Sequence, residues 1–480
     1  MALTSDTTVG LLARLAADFP EQIAFSNDDT SRVTCSELWI QLQTLASALV
    51  GFGVRGGDRV AICLPNCLEW TLWEYASQAL AAIPVGIGVQ WSKEHVNDVL
   101  SHCGATVVVV ENEAALRGFA ATTLDRCRLI CTLEPSGMDP GRRSYITHRE
   151  LMDRGRHATA LVHCTPADPA TIIYTSGSTG RPKGIMHTHG RVMAAVAALA
   201  GYYPELEGGR LALGWLPMEH LYQRIFNLVS LAFVLETRMV RDVGKLVTLL
   251  GELRPSYFTG VPFVYEQLLY AMERSPRDFV SWQRELRLMI IGAAPTGVEM
   301  LDRLAALGLP VRQAYSTSEC LVPIACNTLS DNRTGSVGRP HPSYDLRISD
   351  AGEISVKGPG VFTGYVGDEE RASSLFDAEG YFSTGDFGYL DQDGYLYVTG
   401  WREDFFKTST GRRISPFEVE SAYKRAKLIE HVIVVGHGRK HLVALVQLQS
   451  SAAEALAAKL ELASADHEQW SRDERMNAAV

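Results

Sequence analysis

Residues 174–184 read YTSGSTGRPKG and directly follow the apolar strand pattern Thr171–Tyr174. The glycines of this stretch allow several backbone N–H groups to point at one spot, the hydroxyls add donors, and Lys183 adds a positive charge. These are the components of a polyphosphate site. The stretch differs from the common G-x-x-x-x-G-K-[ST] loop, because Pro182 precedes the lysine and Gly184 follows it. A surface turn can have a similar composition, but a run of this length favours phosphate binding.

The chain on both sides of this stretch alternates between apolar strands and helices. Helical spacing of apolar residues places helices at 38–52, 68–82, 93–102, 190–202, 220–235, 243–252 and 296–307, and strand patterns lie at 59–64, 106–110, 171–174, 257–259 and 288–291. This order predicts the α/β class, with mostly parallel sheets and helices on both faces.

The sequence changes in character towards its C-terminal end. After about residue 335, short strands and frequent turns predict a small antiparallel barrel or sheet. A separate compact unit begins at Gly400 with a basic loop. It continues with a helix at 416–426, strands at 431–436 and 442–448, and a further helix at 451–464.

Composition excludes several classes of protein. The 480 residues carry a formal net charge of −10, whereas chains that wrap nucleic acid usually have a basic excess. No apolar run approaches the roughly 20 residues that span a bilayer, and the N-terminus has no signal-type pattern. The nine cysteines are an odd count spread over the chain, which is typical of reduced thiols. We therefore expect a multidomain cytoplasmic protein with no nucleic-acid partner.

Three other patterns have structural interpretations. Residues 51–56 fit G-x-G-x-x-G, but they follow a helix and precede a strand, so we interpret them as a helix-capping turn. His187 and His189 form H-x-H without a third ligand, and we interpret both as structural. Cys63 and Cys67 lack the second pair that a zinc site needs, so buried thiols are favoured.

The stretch 174–184 resembles the phosphate loop of adenylate-forming enzymes, a superfamily that includes acyl-CoA synthetases, luciferases and peptide-synthetase adenylation domains. Other segments resemble this family in the same order and spacing, and two of them, 216–220 and 260–266, are closest to medium- and long-chain acyl-CoA synthetases. The remaining similar segments are 57–62, 65–66, 69–70, 292–295, 315–319, 383–386 and 407–414, with Glu418 and Glu420.

The resemblance implies a domain organisation. A large N-terminal AMP-binding domain over residues 1–399 would contain two doubly wound α/β subdomains and a small β-barrel at about 336–399. A small, mobile α+β C-terminal domain over 400–480 would follow. The family has a catalytic lysine near its C-terminus, but nothing after Gly411 resembles that motif, and we interpret Lys440 and Lys459 as surface residues. Either this domain is shortened or another cation replaces the lysine.

The resemblance also implies the site residues. In the family, a carboxylate attacks the α-phosphorus of ATP, giving an acyl-AMP and pyrophosphate, and a thiol then displaces AMP. The implied catalytic residues are Thr175, Lys183, His220 and Glu319; Thr175 and Glu319 would hold Mg²⁺, and His220 would line the acyl channel. The residues implied to contact ATP, AMP or CoA are Ser176, Gly177, Ser178, Thr179, Gly180, Gly292, Ala293, Ala294, Tyr315, Ser316, Ser318, Asp386, Val398, Arg402, Lys407, Ser409, Gly411 and Arg412.

The sequence departs from the family's site pattern in two places. Ser316 and Ser318 stand where the family has Gly and Thr. The Cβ of Ser316 would narrow the space beside the nucleotide. Trp401 stands where an arginine usually bonds the ribose, so either Arg402 replaces that contact or the contact is lost. Trp401 would then need a partner to stack on.

The resulting prediction is an AMP-forming acyl-CoA synthetase that uses ATP, Mg²⁺ and CoA on a bulky or medium-to-long hydrophobic acid. Two alternatives remain open: an acyl-AMP ligase that loads a carrier-protein thiol, and a nucleotide- or acyl-binding module with little turnover. A homodimer is compatible with the same sequence.

Lys183→Ala and Thr179→Ala should each slow pyrophosphate release by about 10²–10³-fold, because each removes one preorganised donor or charge from the phosphate site. The measurement is pyrophosphate release at saturating ATP. Wild-type rates in both variants would contradict the assignment of this loop to phosphate binding.

Overall fold

The structure is a computed structural model that describes residues 5–135, 145–155, 164–176, 182–294, 296–321, 323–401, 406–410, 413–423, 428–462, 470 and 473–479. Its strands are β1 (Ile23–Ser26), β2 (Arg32–Thr34), β3 (Arg59–Cys63), β4 (Ile83–Gly86), β5 (Val107–Val110), β6 (Leu129–Thr132), β7 (Tyr145–Thr147), β8 (Pro169–Ser176), β9 (Pro182–Thr188), β10 (Leu211–Gly214), β11 (Glu236–Met239), β12 (Tyr257–Gly260), β13 (Leu288–Ile291), β14 (Val311–Tyr315), β15 (Ala325–Cys326), β16 (Arg339–Pro340), β17 (Asp345–Ile348), β18 (Glu353–Lys357), β19 (Phe382–Leu390), β20 (Leu396–Trp401), β21 (Phe406–Lys407), β22 (Arg413–Ile414), β23 (Ile429–Val435) and β24 (Val443–Leu448).

The helices lie between and around these strands. They are α1 (Thr8–Asp18), α2 (Cys35–Gly51), α3 (Leu68–Gln78), α4 (Lys93–Cys103), α5 (Glu113–Leu116), α6 (Ala121–Arg126), α7 (His148–Gly155), α8 (His189–Tyr202), α9 (Leu221–Ala232), α10 (Leu246–Leu253), α11 (Pro262–Arg274), α12 (Val280–Glu285), α13 (Val298–Ala306), α14 (Glu369–Ser374), α15 (Pro416–Tyr423), α16 (Ser450–Lys459) and α17 (Glu474–Ala479). Within the described part of the chain, every helix is too short or too polar to cross a bilayer.

Two large sheets form the framework. The first has the strand order β7-β6-β5-β3-β4-β8-β9 and is parallel except for the antiparallel pair β8–β9. The second has the order β16-β15-β14-β13-β12-β10-β11-β1-β2, with a parallel centre and antiparallel edges. The predicted α/β fold is therefore confirmed.

Alternate residues of a central strand pack into different apolar clusters, because successive side chains point to opposite faces of a sheet. Val60 and Ile62 of β3 join the cluster that contains α2, α3, α8 and α9, whereas Ala61 and Cys63 join the cluster that contains α4. The second sheet contributes to that first cluster from its other side, through residues such as Ile290. One layer of helices is therefore shared by both sheets.

The smaller sheets are formed by the C-terminal part of the chain, from β17 onwards. Strands β17–β20 form an antiparallel sheet in sequence order, which matches the predicted short-strand region. Strands β21–β22 and β23–β24 form two further antiparallel pairs, and α15 packs on β23. The predicted helix at 68–82 is shorter, because Ala81 adopts a positive φ of 53° and turns the chain into β4.

Two of the structural interpretations made from sequence can be compared with the fold. In residues 51–56, α2 ends at Gly51, Gly53 has a φ of 76°, and β3 begins at Arg59, so this segment is a helix-capping turn. All nine cysteines lie among the described residues; none is in a disulfide, and all except the half-buried Cys164 are buried. Burial raises the pKa of Cys63 and Cys67 to about 12, so both are neutral thiols at pH 7.

A buried ion pair connects two helices of the shared layer, α3 and α9. Glu74 of α3 accepts hydrogen bonds from Nε of Arg224 on α9 at 2.7 Å and from Nη2 of the same side chain. Both residues are buried, and the guanidinium lies 5.2 Å from the ring centre of Trp70. Burial raises the pKa of Glu74, and the charge of Arg224 opposes this shift. The charged form of each of these two side chains is therefore stabilised inside the protein by the other.

Glu74→Gln should lower the free energy of unfolding by about 3–5 kcal/mol, because it leaves Arg224 buried without a countercharge. Glu273→Gln is the matched control, since Glu273 pairs with Arg303 at 2.6 Å on the surface and should cost at most about 1 kcal/mol. Urea unfolding of both variants is the measurement. Equal costs would contradict a special role for the buried pair.

Candidate active site

The β8–β9 hairpin positions the phosphate-loop residues. Thr175 and Lys183 are directly opposed across the antiparallel pair and are both half-buried. Opposed residues in such a pair project from the same face, so the hydroxyl and the ammonium lie side by side. Gly177, Ser178, Thr179 and Gly180 lie outside the described residues, as does the side chain of Ser176. The structure therefore describes the base of the predicted loop and not its tip.

Glu319 is held next to this hairpin by a tyrosine. Two residues after Lys183, Ile185 forms an antiparallel bridge with Tyr365, and Val366 donates its N–H to the Gly184 carbonyl at 2.8 Å. The Tyr365 hydroxyl donates to Oε1 of Glu319 at 2.9 Å. Strand β9 and the Glu319 carboxylate are therefore linked through one side chain.

His187 of β9 fixes the backbone immediately before Glu319. Its Nε2 lies 2.8 Å from the carbonyl of Ser318, and since a carbonyl only accepts, Nε2 carries the proton. Burial lowers the pKa of His187 to about 4, so the ring is neutral at pH 7. His189 begins α8 and contacts the hydroxyl of Thr8 instead. The two histidines have different partners, which agrees with their structural interpretation.

A cavity of about 1090 Å³ contains most of the predicted nucleotide residues that the structure describes. Gly292 is not among the lining residues, and a Cβ there would make a tight contact of 3.1 Å with the Ala314 carbonyl oxygen. Ser318 is exposed and lies outside the cavity lining. The predicted residues that line it are Ala293, Ala294, Tyr315, Ser316, Asp386 and Val398.

Asp386 and Tyr315 form a hydrogen-bonded pair in the lining of this cavity. The Tyr315 hydroxyl donates to Oδ2 of Asp386 at 2.5 Å. Burial, together with the negative charge of Asp386, raises the pKa of Tyr315, so the phenol stays protonated and remains a donor. The Asp386 N–H in turn donates to the Thr384 hydroxyl at 3.0 Å. The carboxylate is therefore held in one orientation by both its side chain and its backbone.

Ser316 has a structural role that its sequence position did not indicate. Its hydroxyl donates to the carbonyl of Leu321, a residue with a φ of 57°. This bond closes the turn that carries Ser318 and Glu319. The serine also lines the cavity, so its side chain contributes to the wall as well as to the turn.

His220, the residue predicted to line the acyl channel, directly precedes α9. His220 is exposed at the N-terminal end of α9 and is therefore not a core residue. Tyr222 is the second residue of the helix, and its hydroxyl oxygen accepts from the Thr259 hydroxyl at 2.7 Å. A Cβ on Gly292 would lie 3.5 Å from the same oxygen. Tyr222 therefore connects the start of α9 to β12 and lies close to Gly292.

The predicted CoA-side residues are only partly described. Gly411 and Arg412 lie outside the described residues, as does the side chain of Lys407, whereas Ser409 is exposed and donates its N–H to the Arg439 carbonyl at 3.0 Å. Arg402, the predicted replacement for the ribose-bonding arginine, also lies outside the described residues. Lys440 and Lys459 are both exposed, as expected for surface lysines.

The C-terminal unit also reaches the cavity. Glu420, Ile429 and Gln449 contribute to its lining. The Ser415 hydroxyl donates to the Thr399 carbonyl at 2.9 Å, which ties this unit to β20.

Sequence reasoning missed Tyr365 and Tyr222. A tyrosine after a glycine in a turn-rich region, or one at helical spacing, is usually a packing residue, so neither had a distinguishing signal. Their roles depend on contacts with residues 46 and 37 positions away in the chain.

Comparison with known proteins identifies the family. The profile described as AMP-binding enzyme matches residues 12–366, and the profile described as AMP-binding enzyme C-terminal domain matches residues 403–479. The chain is 28% identical over 470 residues to long-chain-fatty-acid–CoA ligase FadD15 of Mycobacterium bovis, covering 88% of this chain and 78% of the relative.

A second relative is 30% identical over 450 residues. It is the 3-[(3aS,4S,7aS)-7a-methyl-1,5-dioxo-octahydro-1H-inden-4-yl]propanoyl:CoA ligase of Rhodococcus jostii, with 90% of this chain and 86% of the relative covered. Among solved structures, ATP-bound MatB from Rhodopseudomonas palustris matches with a TM-score of 0.79 and 26% identity, covering 92% of this chain and 88% of that chain. The chain belongs to the AMP-binding enzyme family.

Proposed function

We propose that this protein activates a hydrophobic carboxylic acid with ATP and Mg²⁺ and then transfers the acyl group to the thiol of CoA. The first step releases pyrophosphate and leaves an acyl-adenylate, and the second releases AMP. The observation that carries the proposal is the cavity lined by the hydrogen-bonded pair of Tyr315 and Asp386. The relatives of the chain, which include CoA ligases, support the same function.

The cavity has the chemistry of a nucleoside site. Asp386 offers a carboxylate, which accepts hydrogen bonds from hydroxyl groups and cannot donate. The small side chains of Ala293 and Ala294 leave room for a flat base beside Tyr315. Ala293 has a φ of 64°, a conformation that costs a non-glycine residue about 1–2 kcal/mol. The loop is therefore held in a strained shape against the cavity.

The donor set beside the hairpin fits Mg²⁺. Glu319 supplies a carboxylate and Thr175 a hydroxyl, and such hard oxygen ligands suit this ion, which usually keeps several waters. Tyr365 orients the carboxylate through Oε1. An ion held there would neutralise charge on the phosphates of ATP. Glu319 and Thr175 would hold it, and Lys183 would contribute a separate positive charge.

Lys183 and the loop residues 176–180 would stabilise the charge that gathers on the phosphates during adenylation. Such stabilisation is effective when donors are positioned in advance. The opposed positions of Thr175 and Lys183 on the hairpin supply this preorganisation. Among the described residues, Lys183 has no ion pair, so its charge is available to a ligand.

The acid would lie near the exposed side chain of His220, at the start of α9. Both named relatives act on acids with large apolar bodies, which supports a hydrophobic acid here.

The remaining parts of the proposal concern the acceptor and the organisation of the chain. Lys407, Ser409, Gly411 and Arg412 would face CoA, and the domain boundary would lie between residues 399 and 400. A cytoplasmic location and a homodimer belong to the same proposal. An acyl carrier protein is the alternative thiol acceptor, and a binding module is the alternative to turnover.

The test is a panel of carboxylic acids of increasing length and bulk, incubated with ATP and Mg²⁺, with and without CoA, and analysed by mass spectrometry. Pyrophosphate and acyl-CoA from at least one hydrophobic acid would support the proposal. Acyl-AMP that is consumed only by a carrier protein would favour the alternative acceptor, and ATP binding without pyrophosphate from any acid would favour a binding module.

Glu319→Gln should reduce adenylation more than 10-fold and shift the Mg²⁺ titration to higher concentrations, because the amide keeps the volume but loses the charge. Tyr365→Phe should cost about 10–100-fold in Mg²⁺ affinity or activity, as is usual for the partner of a metal ligand. The exposed Glu252 on α10 provides the control Glu252→Gln. An unchanged Mg²⁺ titration in Glu319→Gln would contradict its role as a ligand.

A further inference from the structure

The end of the β8–β9 hairpin extends beyond its pairing with the rest of the first sheet. Strand β8 pairs with β4 through Ile172 and Val85, three residues before Thr175. Past that point β8 is paired with β9, and this part of the hairpin carries Thr175 and Lys183. The position of these two side chains therefore depends on contacts that the hairpin makes with elements other than β4.

One such contact is a hydrogen bond between Tyr174 and His102. The Tyr174 hydroxyl lies 2.7 Å from Nδ1 of His102 on α4, and the two rings meet edge to face with their centres 5.7 Å apart. Tyr174 is buried, and burial raises the pKa of its phenol, so the hydroxyl keeps its proton and needs an acceptor. A neutral histidine that carries its proton on Nε2 supplies this acceptor at Nδ1.

Tyr174 reaches His102 from the face of the hairpin that is opposite to the predicted phosphate ligands. Successive side chains of a strand point to opposite faces, so Tyr174 points away from the side of its neighbour Thr175. Gly184, the residue after Lys183, is opposed to Tyr174 in the register, and a Cβ at Gly184 would lie 3.0 Å from the phenol oxygen. The phenol therefore packs over the backbone that follows Lys183.

His102 also lies beside the turn that contains Tyr365. A Cβ on Gly367 would lie 3.9 Å from Nε2 of His102. The preceding residue, Val366, donates its N–H to the Gly184 carbonyl at 2.8 Å, and Tyr365 holds the carboxylate of the predicted metal site. Helix α4, the hairpin and this turn therefore meet around one imidazole.

We propose that His102 is a positioning residue for ATP binding, acting through its hydrogen bond with Tyr174. This bond holds the part of the hairpin that carries Thr175 and Lys183 in place before ATP arrives. The proposal rests on the proposed function, which locates the phosphates of ATP at this hairpin. The apparent affinity for ATP falls with the fraction of molecules whose hairpin is in place.

The test is calorimetric binding of ATP and of AMP in the presence of Mg²⁺, because binding requires no knowledge of the acid. His102→Leu keeps a branched side chain and removes the acceptor, so ATP should bind about two- to tenfold more weakly, the usual net effect of one hydrogen bond. AMP lacks the β- and γ-phosphates, so its binding should be unchanged. His102→Asn puts an amide oxygen in the place of Nδ1 and should restore ATP binding.

Tyr174→Phe removes the same hydrogen bond from the other side and should match His102→Leu, so it decides the question if His102→Leu fails to fold. Asp98→Asn is the control, since Asp98 is exposed on α4 one turn before His102. Thermal unfolding of each variant verifies that the fold is kept.

If the His102 and Tyr174 variants bind ATP like the wild-type protein, or lose ATP and AMP binding equally, the positioning role is contradicted while the proposed function stands. If the wild-type protein binds no ATP, the proposed function itself is contradicted.

Discussion

The structure depends on one constraint, which is that two sheets of mostly parallel strands bury their inner faces against the same layer of helices. A helix in that layer has apolar partners on both sides, so α9 is buried along nearly its whole length, and its polar residues must find partners inside. The pair of Glu74 and Arg224 meets this requirement across the layer. His220, which directly precedes α9, is exposed.

The same constraint locates the chemistry. Strand β9 leaves the first sheet and continues directly into α8, so the hairpin with Thr175 and Lys183 is anchored in the core at its far end. Its other contacts, through Tyr365 and His187, reach the turn that carries Glu319. The rigid part of the framework thereby holds groups from three separate segments of chain near one another. Preorganisation of this kind costs nothing further when a ligand binds.

The local features of this fold could be predicted from sequence, because they depend on neighbouring residues. The run of four valines at 107–110 could only be a strand buried on both faces, and the leucines of α2 repeat at helical spacing. The strand at 171–174 was also predicted, but its antiparallel pairing with β9 was not. The C-terminal end of α3 was predicted too late in the chain, since the turn at Ala81 has no glycine or proline to mark it.

Contacts across sheets could not be predicted in the same way. The approach of Tyr365 to Glu319 and the pairing of Trp401 with Asp386 across β20 and β19 both depend on strand register, which is set by the packing of a whole sheet. For Trp401, the sequence indicated only that a partner was needed. The assignment of individual residues to ATP, Mg²⁺ and CoA stays a prediction, because side-chain geometry alone does not identify a ligand.

The distribution of the thiols has a practical consequence for spectroscopy. Eight of the nine cysteines are buried, and burial raises the pKa of Cys35, Cys103 and Cys127 to about 11 and of Cys326 to about 12. The thiolate is the form of cysteine that attacks alkylating reagents, so these sulfurs are protected both by limited access and by protonation. Cys164, which lies just before β8, is the half-buried exception. Burial raises the pKa of Cys164 as well, so its advantage over the other thiols is access. A fluorophore or spin label should therefore attach first at this position, five residues before the strand that leads to the phosphate loop, without any engineered cysteine.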